Sequence, residues 1–299
     1  MTAPGDPLPN PELAWEGRDD VRQVDRDEVE QRLGRRVERI EVLSGGLANL
    51  NVLVDGASVL RIYRREPQTL RKEVALLGRT WRQLRVPAVL GRGEDFLLLE
   101  HVRHRPLQGM TRHGAAVGRA LAEIHAVAHA SSGLLDGDLE VTAPFRDFVT
   151  AVRDHAATEI AAPLPADLGA RVLAVLDQQT SALRAVVGPP VLLHGDFKPS
   201  NLHWTDAGEL LVLDWEFAYA GSALMDVGQL MRWSCPTEFT RAFADAYRAD
   251  GGVLPEDWIQ WGAVLDLVNL VGLLRRAPPG SRRASDTMGR IAETLVTCA

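Results

Sequence analysis

Cysteine and lysine are both scarce in this sequence. The two cysteines, Cys235 and Cys298, stand far apart and near no histidine cluster, which argues against a disulfide framework and against a zinc site. Only Lys72 and Lys198 are lysines, so arginine carries nearly all of the positive charge. This bias matters for any site that binds phosphate, because arginine and lysine contact phosphate in different ways.

Other absences concern the surroundings of the protein. No basic, apolar leader stands at the N-terminus, so we expect a cytoplasmic protein. The apolar segment 257–276 is interrupted by Gln260, Asp266 and Asn269 and is short for a bilayer span, so we expect a buried helix and no membrane partner. A net charge of −7 argues against a nucleic-acid partner.

The composition is otherwise ordinary for a soluble globular chain. Of 299 residues, 46% are apolar and 24% are charged, which is enough to bury the core of one large domain or of two lobes. Residues 1–100 hold 16 basic and 17 acidic side chains, net −1, and the remaining 17 and 23 give −6. This acidic part could attract a cationic ligand, or its charge could only keep the surface hydrated.

One stretch combines polar groups with neighbouring apolar runs. Apolar residues 191–193 lead into His194-Gly195-Asp196-Phe197-Lys198-Pro199-Ser200-Asn201. Glycine and proline prevent a regular helix there, and a second apolar run, 210–213, ends at Asp214. A strand–loop–strand unit would bring Asp196, Asn201 and Asp214 together. Two acids and an amide suit the binding of Mg²⁺ on ATP and the orientation of a hydroxyl toward its γ-phosphate.

The spacing of these residues resembles that of a kinase catalytic loop and its separate metal-binding acid. Gly195 follows the histidine where protein kinases have arginine, and Trp215-Glu216 follows the second acid where they have Phe-Gly. From about Val37 to Leu295 the chain resembles the aminoglycoside phosphotransferase and choline kinase-like family. The resemblance implies an α+β, two-lobed protein kinase-like fold, with a small five-stranded antiparallel N-terminal lobe carrying one helix and a larger, mainly helical C-terminal lobe.

The resemblance also implies roles for the residues of the loop. Asp196 would orient the acceptor hydroxyl and take its proton, and Lys198 would neutralise the transferring phosphate. Asn201 and Asp214 would hold Mg²⁺. The expected cofactors are ATP, with GTP as an alternative, and Mg²⁺.

The first hundred residues predict the nucleotide-binding lobe. Residues 1–23 contain four prolines and no apolar periodicity, which predicts a loose tail, followed by an N-terminal lobe over 24–103 and a C-terminal lobe over 104–299. A short helix is predicted over 24–34. The predicted strands cover 37–43, 52–54, 59–63, 86–90 and 96–102, with Asp55-Gly56 as a hairpin turn.

The turn between the first two predicted strands contains Ser44, Gly45, Gly46 and Asn49. In the resembled fold, this turn lays backbone N–H groups over the phosphates. Two glycines in a hairpin are common, so the assignment depends on the position of the turn ahead of the third strand. The turn is not a Walker A loop, and the sequence contains none.

Four further positions complete the expected nucleotide site. The third predicted strand has Arg61 where kinases place a phosphate-binding lysine, and a guanidinium can also grip phosphate. Glu73, on a helix predicted over 67–81, is its expected ion-pair partner, although a surface glutamate would look the same. Glu100 and Val102 occupy the hinge that would bind adenine through backbone groups.

Helical periodicity dominates the rest of the chain. Helices are predicted from Arg112 and over 144–160, 168–187, 236–249, 257–276 and 285–296. Asp226 is expected to brace the catalytic loop. Asp154, Glu216 and Asp266 are candidates for binding the acceptor, although a solvated acid or an arginine partner would explain such residues equally well.

The expected function is ATP- and Mg²⁺-dependent transfer of a phosphate to a hydroxyl of a small molecule by a monomer or homodimer. The acceptor would be cationic, such as an aminoglycoside or other antibiotic. A metabolic kinase of a sugar or amino alcohol is the alternative. A nucleotide-binding pseudokinase scaffold is favoured only by Arg61, and the lack of an Ala-Pro-Glu segment counts against a protein substrate.

Overall fold

The computed structural model describes residues 6–15, 24–43, 49–64, 69–160 and 165–298. Its helices are α1 Arg26–Leu33, α2 Thr69–Leu77, α3 Thr111–His125, α4 Phe148–Ile160, α5 Ala166–Val186, α6 Leu224–Met231, α7 Thr237–Ala249, α8 Trp258–Arg275 and α9 Arg282–Thr297. Its strands are β1 Ile40–Val42, β2 Leu50–Val54, β3 Ser58–Ile62, β4 Val89–Arg92, β5 Phe96–Glu100, β6 His104–Pro106, β7 Gly133–Leu135, β8 Val141–Pro144, β9 Val191–Leu193, β10 Leu202–Thr205, β11 Leu210–Val212 and β12 Tyr219–Gly221. Short 3₁₀ helices cover Pro11–Ala14, Pro199–Asn201 and Trp215–Phe217.

The first five strands form one antiparallel sheet in the order β1-β2-β3-β5-β4. The β2–β3 hairpin turns at Asp55 and Gly56, as predicted, and both residues have positive φ, 53° and 68°. Val52 and Leu60 of this hairpin are buried in one cluster with Val29 of α1. The strand order places β3, which carries Arg61, in the middle of the sheet between β2 and β5.

Two smaller sheets frame the loop that follows β9, one in the order β11-β10-β6 and the other β8-β7-β12-β9. In the β10–β11 hairpin, Leu202 pairs with Val212. One step beyond that pair, the amide nitrogen of Leu213 donates to the carbonyl oxygen of Asn201 at 3.0 Å. The hairpin thus sets the end of the loop that follows β9 beside the start of the Asp214 segment.

Helices α6 and α8 cross at a point where neither carries a side chain. A Cβ atom at Gly228 would lie only 2.2 Å from the carbonyl oxygen of Gly262. Glycine at this position lets the two backbones touch and fixes the distance of α6 from the rest of the helical part. This matters because side chains of α6 hold the loop that follows β9.

The distribution of elements confirms the α+β fold class, with a sheet-rich part followed by a larger helical part. Strands β6, β7, β8, β10 and β12 were not predicted, because alternation cannot be recognised in three or four residues. Helix α6 was also not predicted, and the predicted helix start at Pro67 lies outside the described residues. No helix of the described ranges is both long and apolar enough to cross a membrane.

Residues 6–15 are not the loose tail that the sequence predicted. Leu8 is buried in the largest hydrophobic cluster, and the ring of Trp15 packs edge-on against Trp233 with centroids 6.0 Å apart. Pro11 occupies the start of a 3₁₀ helix, where its missing N–H costs nothing. Prolines and irregular spacing predicted disorder, but burial of isolated apolar side chains outweighs both.

Candidate active site

A glycine shapes the loop after β9. Gly195 has a φ of +79°, which side-chain-bearing residues rarely adopt. A Cβ atom there would also lie 2.2 Å from the carbonyl oxygen of Phe217. The loop therefore turns sharply at Gly195 and lies directly against the 3₁₀ helix Trp215–Phe217.

Helix α6 holds this loop with two side chains. Asp226 accepts hydrogen bonds from the amide nitrogens of His194 at 2.8 Å and of Gly195 at 2.9 Å. Gln229 accepts one from the amide nitrogen of Phe197 and donates one to the carbonyl oxygen of Gly195, each at 2.8 Å. The predicted bracing by Asp226 is confirmed, and the loop is preorganised by buried hydrogen bonds.

The imidazole of His194 joins the loop to the segment of the second acid. Its Nε2 donates to the carbonyl oxygen of Leu213 at 2.8 Å. Its Nδ1 accepts from the amide nitrogen of Asp196 at 3.2 Å. This pattern assigns the neutral tautomer protonated at Nε2. Because Leu213 precedes Asp214, one ring connects the backbones that carry both acids.

Two polar side chains converge on the carboxylate of Asp196. Asn201 donates through Nδ2 to Asp196 Oδ2 at 2.8 Å and to its carbonyl oxygen at 2.9 Å. Lys198 Nζ lies 3.2 Å from Asp196 Oδ1. The carboxylate stays partly exposed, so it is anchored but still accessible to a small molecule. The structure thus brings Asp196, Lys198 and Asn201 together.

Lys198 has a second acidic partner. Its Nζ lies 2.9 Å from Glu12 Oε2, and Glu12 Oε1 lies 3.0 Å from Arg232 NH1. Burial opposes the charge of the ammonium, but Asp196 and Glu12 outweigh it and raise the pKa of Lys198. Burial likewise opposes the charge of Glu12, but Lys198 and Arg232 outweigh it and lower the pKa of Glu12 to about 2. Both groups are therefore charged at neutral pH.

Arg61 lies among three carboxylates, with only 4% of its side chain exposed. Its Nε is 3.3 Å from Glu73 Oε2, which is the predicted contact, and its NH2 is 3.4 Å from Glu216 Oε1. Its NH1 contacts Asp214 Oδ1. Burial opposes the charge, but Glu73 and Asp214 outweigh it and raise the pKa of Arg61. The guanidinium links the N-terminal sheet to the Asp214 segment.

The two acids of that segment respond differently to burial. Burial alone would raise the pKa of Asp214, but Arg61 outweighs it and holds that pKa below its usual value. At Glu216 burial prevails over Arg61, and together with the neighbouring Asp214 it raises the pKa of Glu216 to about 7. Asp214 is therefore the better ligand for a metal ion at neutral pH.

Trp215 anchors the same segment. Its indole is fully buried and stacks on Trp81, with ring centroids 5.4 Å apart and planes inclined by 18°. Trp215 Nε1 donates to the carbonyl oxygen of Val212 at 3.3 Å, and Trp81 Nε1 donates to that of Leu76 at 3.1 Å. The backbone after Asp214 is thus held by a pair of large, hydrogen-bonded side chains.

The sequence profile of the phosphotransferase enzyme family matches residues 39–263. The chain belongs to this family. The resemblance inferred from the catalytic loop is thereby confirmed, as is the assignment to the small-molecule kinases. No curated protein matches the phosphotransferase in sequence.

Solved structures share the fold of the phosphotransferase. A thermostable mutant of aminoglycoside phosphotransferase APH(4)-Ia, in ternary complex with ADP and hygromycin B, is 18% identical with a TM-score of 0.67, over 92% of this chain and 98% of that one. A fructosamine-3-kinase-like protein of Thermobifida fusca is 20% identical with a TM-score of 0.63, over 94% and 100%. Macrolide 2′-phosphotransferase MphH of Brachybacterium faecium is 17% identical with a TM-score of 0.62, over 91% and 95%. The protein kinase-like fold is therefore confirmed.

The turn predicted to cover the phosphates is only partly described in the phosphotransferase. Ser44, Gly45 and Gly46 lie outside the described residues. Asn49, at the end of this turn, donates through Nδ2 to the carboxylate of Glu216. This contact places Asn49 beside the carboxylates that surround Arg61.

The predicted hinge lies at the end of β5. The carboxylate of Glu100 receives a hydrogen bond of 2.7 Å from Arg85 NH2, and its amide nitrogen donates to the carbonyl oxygen of Ala88 at 2.8 Å. The carbonyl oxygen of Val102 accepts from His104 Nδ1 at 2.7 Å. The positions of Glu100 and Val102 follow β5 as expected, and their contact with adenine stays a prediction.

The structure separates the three residues proposed to bind the acceptor. Asp266 was the wrong choice, because it is 1% exposed and forms a two-point pair with Arg232 at 2.8 and 2.9 Å. Glu216 faces Arg61 of β3 and Asn49, so it lies against the N-terminal sheet. Asp154 is 66% exposed on α4, beside Arg153. The structure does not group these acids around Asp196.

Asp214 and Asn201 fit a magnesium ion that is bound together with phosphates. The part of the chain that the structure describes contains no group of three His, Cys, Asp or Glu side chains able to hold a metal ion. Mg²⁺ in phosphotransfer sites needs only one or two protein ligands, since phosphate and water complete its octahedron. Asp214 offers a carboxylate. Because Asn201 directs its Nδ2 to Asp196, its Oδ1 remains as the amide ligand.

Several residues of the site were given no role from the sequence. Gln229 and Arg232 had a signal, because they follow Asp226 at every third residue, along and just past a helix that is otherwise apolar. Buried polar groups need partners, so this spacing indicates a shared polar neighbour. Glu12 had no such signal, because its partners are distant in sequence.

Proposed function

We propose that the phosphotransferase moves the γ-phosphate of ATP, bound with Mg²⁺, to a hydroxyl of a small cationic molecule. One observation carries the proposal: the accessible carboxylate of Asp196 lies between Asn201 Nδ2 at 2.8 Å and Lys198 Nζ at 3.2 Å, in a loop tied through His194 to the Asp214 segment. A base, a cation and a metal ligand in one place are what in-line transfer requires.

In the proposed reaction, Asp196 accepts a hydrogen bond from the acceptor hydroxyl. It takes the proton as the hydroxyl oxygen bonds to the γ-phosphorus. The bond from that phosphorus to the β–γ bridging oxygen breaks, and the nucleoside diphosphate leaves with the electron pair. Lys198 stays protonated and offsets the charge on the transferring group. Positioning and charge stabilisation supply most of the rate.

The nucleotide would lie between the N-terminal sheet and the loop. Arg61 on β3, fixed by Glu73, would bind phosphate oxygens, and the turn over 44–49 would cover them with backbone N–H groups. Asn201 and Asp214 would hold Mg²⁺, which supplies neutralisation of the phosphate charges when bound. Neighbours in complex with ADP or GDP support the use of a purine nucleotide, with GTP as an alternative to ATP.

Two observations support a cationic acceptor. Residues 101–299 carry a charge of −6, and a cleft with excess acid attracts cations. Related folds have been solved with gentamicin, streptomycin and kanamycin. Some of the acid is already paired, as Glu159 is with Arg275 at 2.7 Å and Asp177 with Arg153 at 3.0 Å. The unpaired acids would therefore have to bind the acceptor.

The test is a screen of acceptors by coupled ADP release, with and without EDTA. The panel contains aminoglycosides, other antibiotics, sugars and amino alcohols. We expect turnover that needs both an acceptor and Mg²⁺, with the highest kcat/KM for an amine-bearing, hydroxyl-rich compound. Added salt should raise the KM of that acceptor and leave kcat nearly constant, since screening weakens capture. A neutral or anionic best substrate would exclude the cationic acceptor.

A metabolic kinase is the second candidate function. The fructosamine-3-kinase-like neighbour, matched over 94% of this chain and 100% of its own, supports it. The same screen separates the two, because a sugar or sugar-amine adduct would then give the highest kcat/KM. A protein that binds Mg²⁺-ATP without turnover on any acceptor would instead be a scaffold.

A further inference from the structure

The N-terminal segment, residues 6–15, reaches the catalytic loop through one side chain. At one end of the segment Leu8 is buried, and at the other Trp15 Nε1 donates to Asp286 Oδ2 on α9 at 2.9 Å. Between these anchors lies Glu12, whose side chain is 10% exposed. A carboxylate this deeply buried needs partners that balance its charge.

Glu12 finds those partners on both sides. Lys198 Nζ lies 2.9 Å from its Oε2. Arg232 NH1 and Trp233 Nε1 donate to its Oε1 at 3.0 and 3.3 Å. Arg232 is itself fixed by its two-point pair with Asp266. The position of Glu12 is therefore set by a rigid part of the helical region and by the docked segment, not by the flexible lysine.

The ammonium of Lys198 lies between the carboxylate of Asp196, the proposed base, and the carboxylate of Glu12. A lysine places a compact charge on a flexible four-carbon stem, so a single partner does not fix it. With Asp196 alone at 3.2 Å, the ammonium would be free to close on the carboxylate that must meet the acceptor hydroxyl. Glu12, at 2.9 Å, holds it from the other side.

We propose that Glu12 is a positioning residue of the phosphotransfer site, which keeps the Lys198 ammonium directed at the transferring phosphate and stops it from neutralising Asp196 alone. The inference depends on the proposed function, because the role of Lys198 comes from there. It gives the N-terminal segment a part in the reaction, although none of its described residues belongs to the loop.

The first test reads the contact without any substrate. The chain has only two lysines, so acylation of each by acetic anhydride can be followed by peptide mass spectrometry, with Lys72 as the internal reference. In Glu12→Gln the ammonium loses one carboxylate and keeps the opposing influence of Arg232 and of burial. We expect acylation of Lys198 relative to Lys72 to rise several-fold, because loss of the Glu12 carboxylate lowers the pKa of the ammonium. An unchanged ratio overturns the proposal.

The second test reads the function with the acceptor that the screen identifies. In Glu12→Gln we expect kcat to fall about ten-fold, because the charge of Lys198 is no longer held in place for the transferring phosphate. The KM for ATP should stay within two-fold, because Glu12 makes no proposed contact with the nucleotide. Glu12→Asp, which restores the charge on a shorter stem, should recover part of kcat. Asp286→Asn is the matched control: it changes a carboxylate that anchors the same segment and should leave kcat unchanged.

The outcomes separate the two proposals. A wild-type protein that transfers no phosphate refutes the proposed function, while the acylation ratio still decides whether Glu12 controls Lys198. Full kcat in Glu12→Gln, or an equal loss in Asp286→Asn, would show that Glu12 only docks the segment and would overturn the inference. Thermal melting of each variant confirms that the compared proteins are folded.

Discussion

His194 and Leu213 are joined by a hydrogen bond of 2.8 Å from the imidazole Nε2 to the carbonyl oxygen. The other nitrogen of the ring accepts from the amide of Asp196. A neutral histidine therefore fixes the spacing between the loop of the proposed base and the segment of the proposed metal ligand. Neither acid has to be placed by a ligand, so the effects of changing each acid should be separable.

Changing Asp196 should abolish turnover and leave nucleotide binding intact. We expect Asp196→Asn to lower kcat by at least about 1,000-fold, within the range for a lost general base, and to change the KM for ATP less than two-fold. Asp206→Asn, in the exposed turn between β10 and β11, is the control and should behave as wild type. Steady-state kinetics with the identified acceptor checks both. Retained turnover would remove Asp196 from the mechanism.

Changing Asp214 should instead remove nucleotide binding. Asp214→Asn takes away the charged ligand proposed for Mg²⁺, so the rise in melting temperature that we expect for wild type with Mg²⁺ and ATP should largely disappear. ATP with EDTA should give the two proteins equal, small shifts. A variant that keeps the full Mg²⁺-dependent shift would assign the metal to other residues.

Changing Arg61 should affect stability and nucleotide affinity together. Arg61→Met leaves Glu73, Asp214 and Glu216 without their shared cation, and removing one member of a buried ion pair costs about 3–5 kcal/mol. Arg61→Lys keeps the charge and should lose less stability, with a higher KM for ATP because the two-point grip is lost. Urea unfolding and nucleotide titration measure the two effects. An unchanged KM in both variants would place Arg61 outside the nucleotide site.

Two glycines with similar backbone angles should respond differently to alanine. Gly195 and Gly208 have φ of +79° and +83°, so each alanine costs about 1–2 kcal/mol for the left-handed conformation. A Cβ atom at Gly195 would also strike the carbonyl oxygen of Phe217 at 2.2 Å, whereas at Gly208 it would meet no atom within 4 Å. We expect Gly195→Ala to lose activity and several times more stability than Gly208→Ala. Equal losses would mean that the contact with Phe217 is easily relieved.

The decrease in the free energy of unfolding at acidic pH should depend partly on His113. This histidine is fully buried at the start of α3, and desolvation lowers its pKa, while its Nδ1 accepts from the amide of Gln108 at 3.0 Å. As the pH falls below about 6.5, the unfolded chain takes up a proton that the folded chain does not, so stability declines by up to about 1.4 kcal/mol per pH unit.

In His113→Asn this part of the decline should vanish, because an amide oxygen can replace Nδ1 as the acceptor and does not titrate. Urea unfolding between pH 7 and 5 checks the slope. His129 and His203, whose pKa values burial also lowers, keep the remaining slope in both proteins. A slope identical to that of wild type would show that His113 takes up its proton in the folded state.

Local signals were enough for the centre of the site but not for its supports. The loop of Asp196 and Asn201 was recognisable because a kinase loop holds its residues at fixed spacing in one short stretch. The Arg61–Glu73 contact was expected from the resemblance to kinases, because Arg61 stands where they place the lysine of the third strand and Glu73 lies on the next predicted helix. These features depend on neighbours along the chain, which a sequence displays directly.

The supports depend on neighbours in space. Glu12 contacts Lys198 only because an irregular segment packs on the helical part. No periodicity in the sequence predicts such packing. Asp266 was misassigned for the same reason: an acid in an apolar helix must have a partner, and the sequence does not say that Arg232 is that partner. Strands of three residues, such as β7 and β12, are fixed by their partners across the sheet, not by their own pattern.

The stacked indoles of Trp81 and Trp215 give the protein an optical signature of its own. Rings 5.4 Å apart are close enough for their strong far-ultraviolet transitions to couple, so they should contribute a circular dichroism couplet that separate tryptophans lack. Trp215 directly follows Asp214, and Trp81 lies beyond α2, so the strength of that couplet reports how closely the two segments approach. Because Trp215 is the neighbour of the proposed metal ligand, the intensity of this circular dichroism signal should change when the site is occupied. Binding could then be followed without an added label.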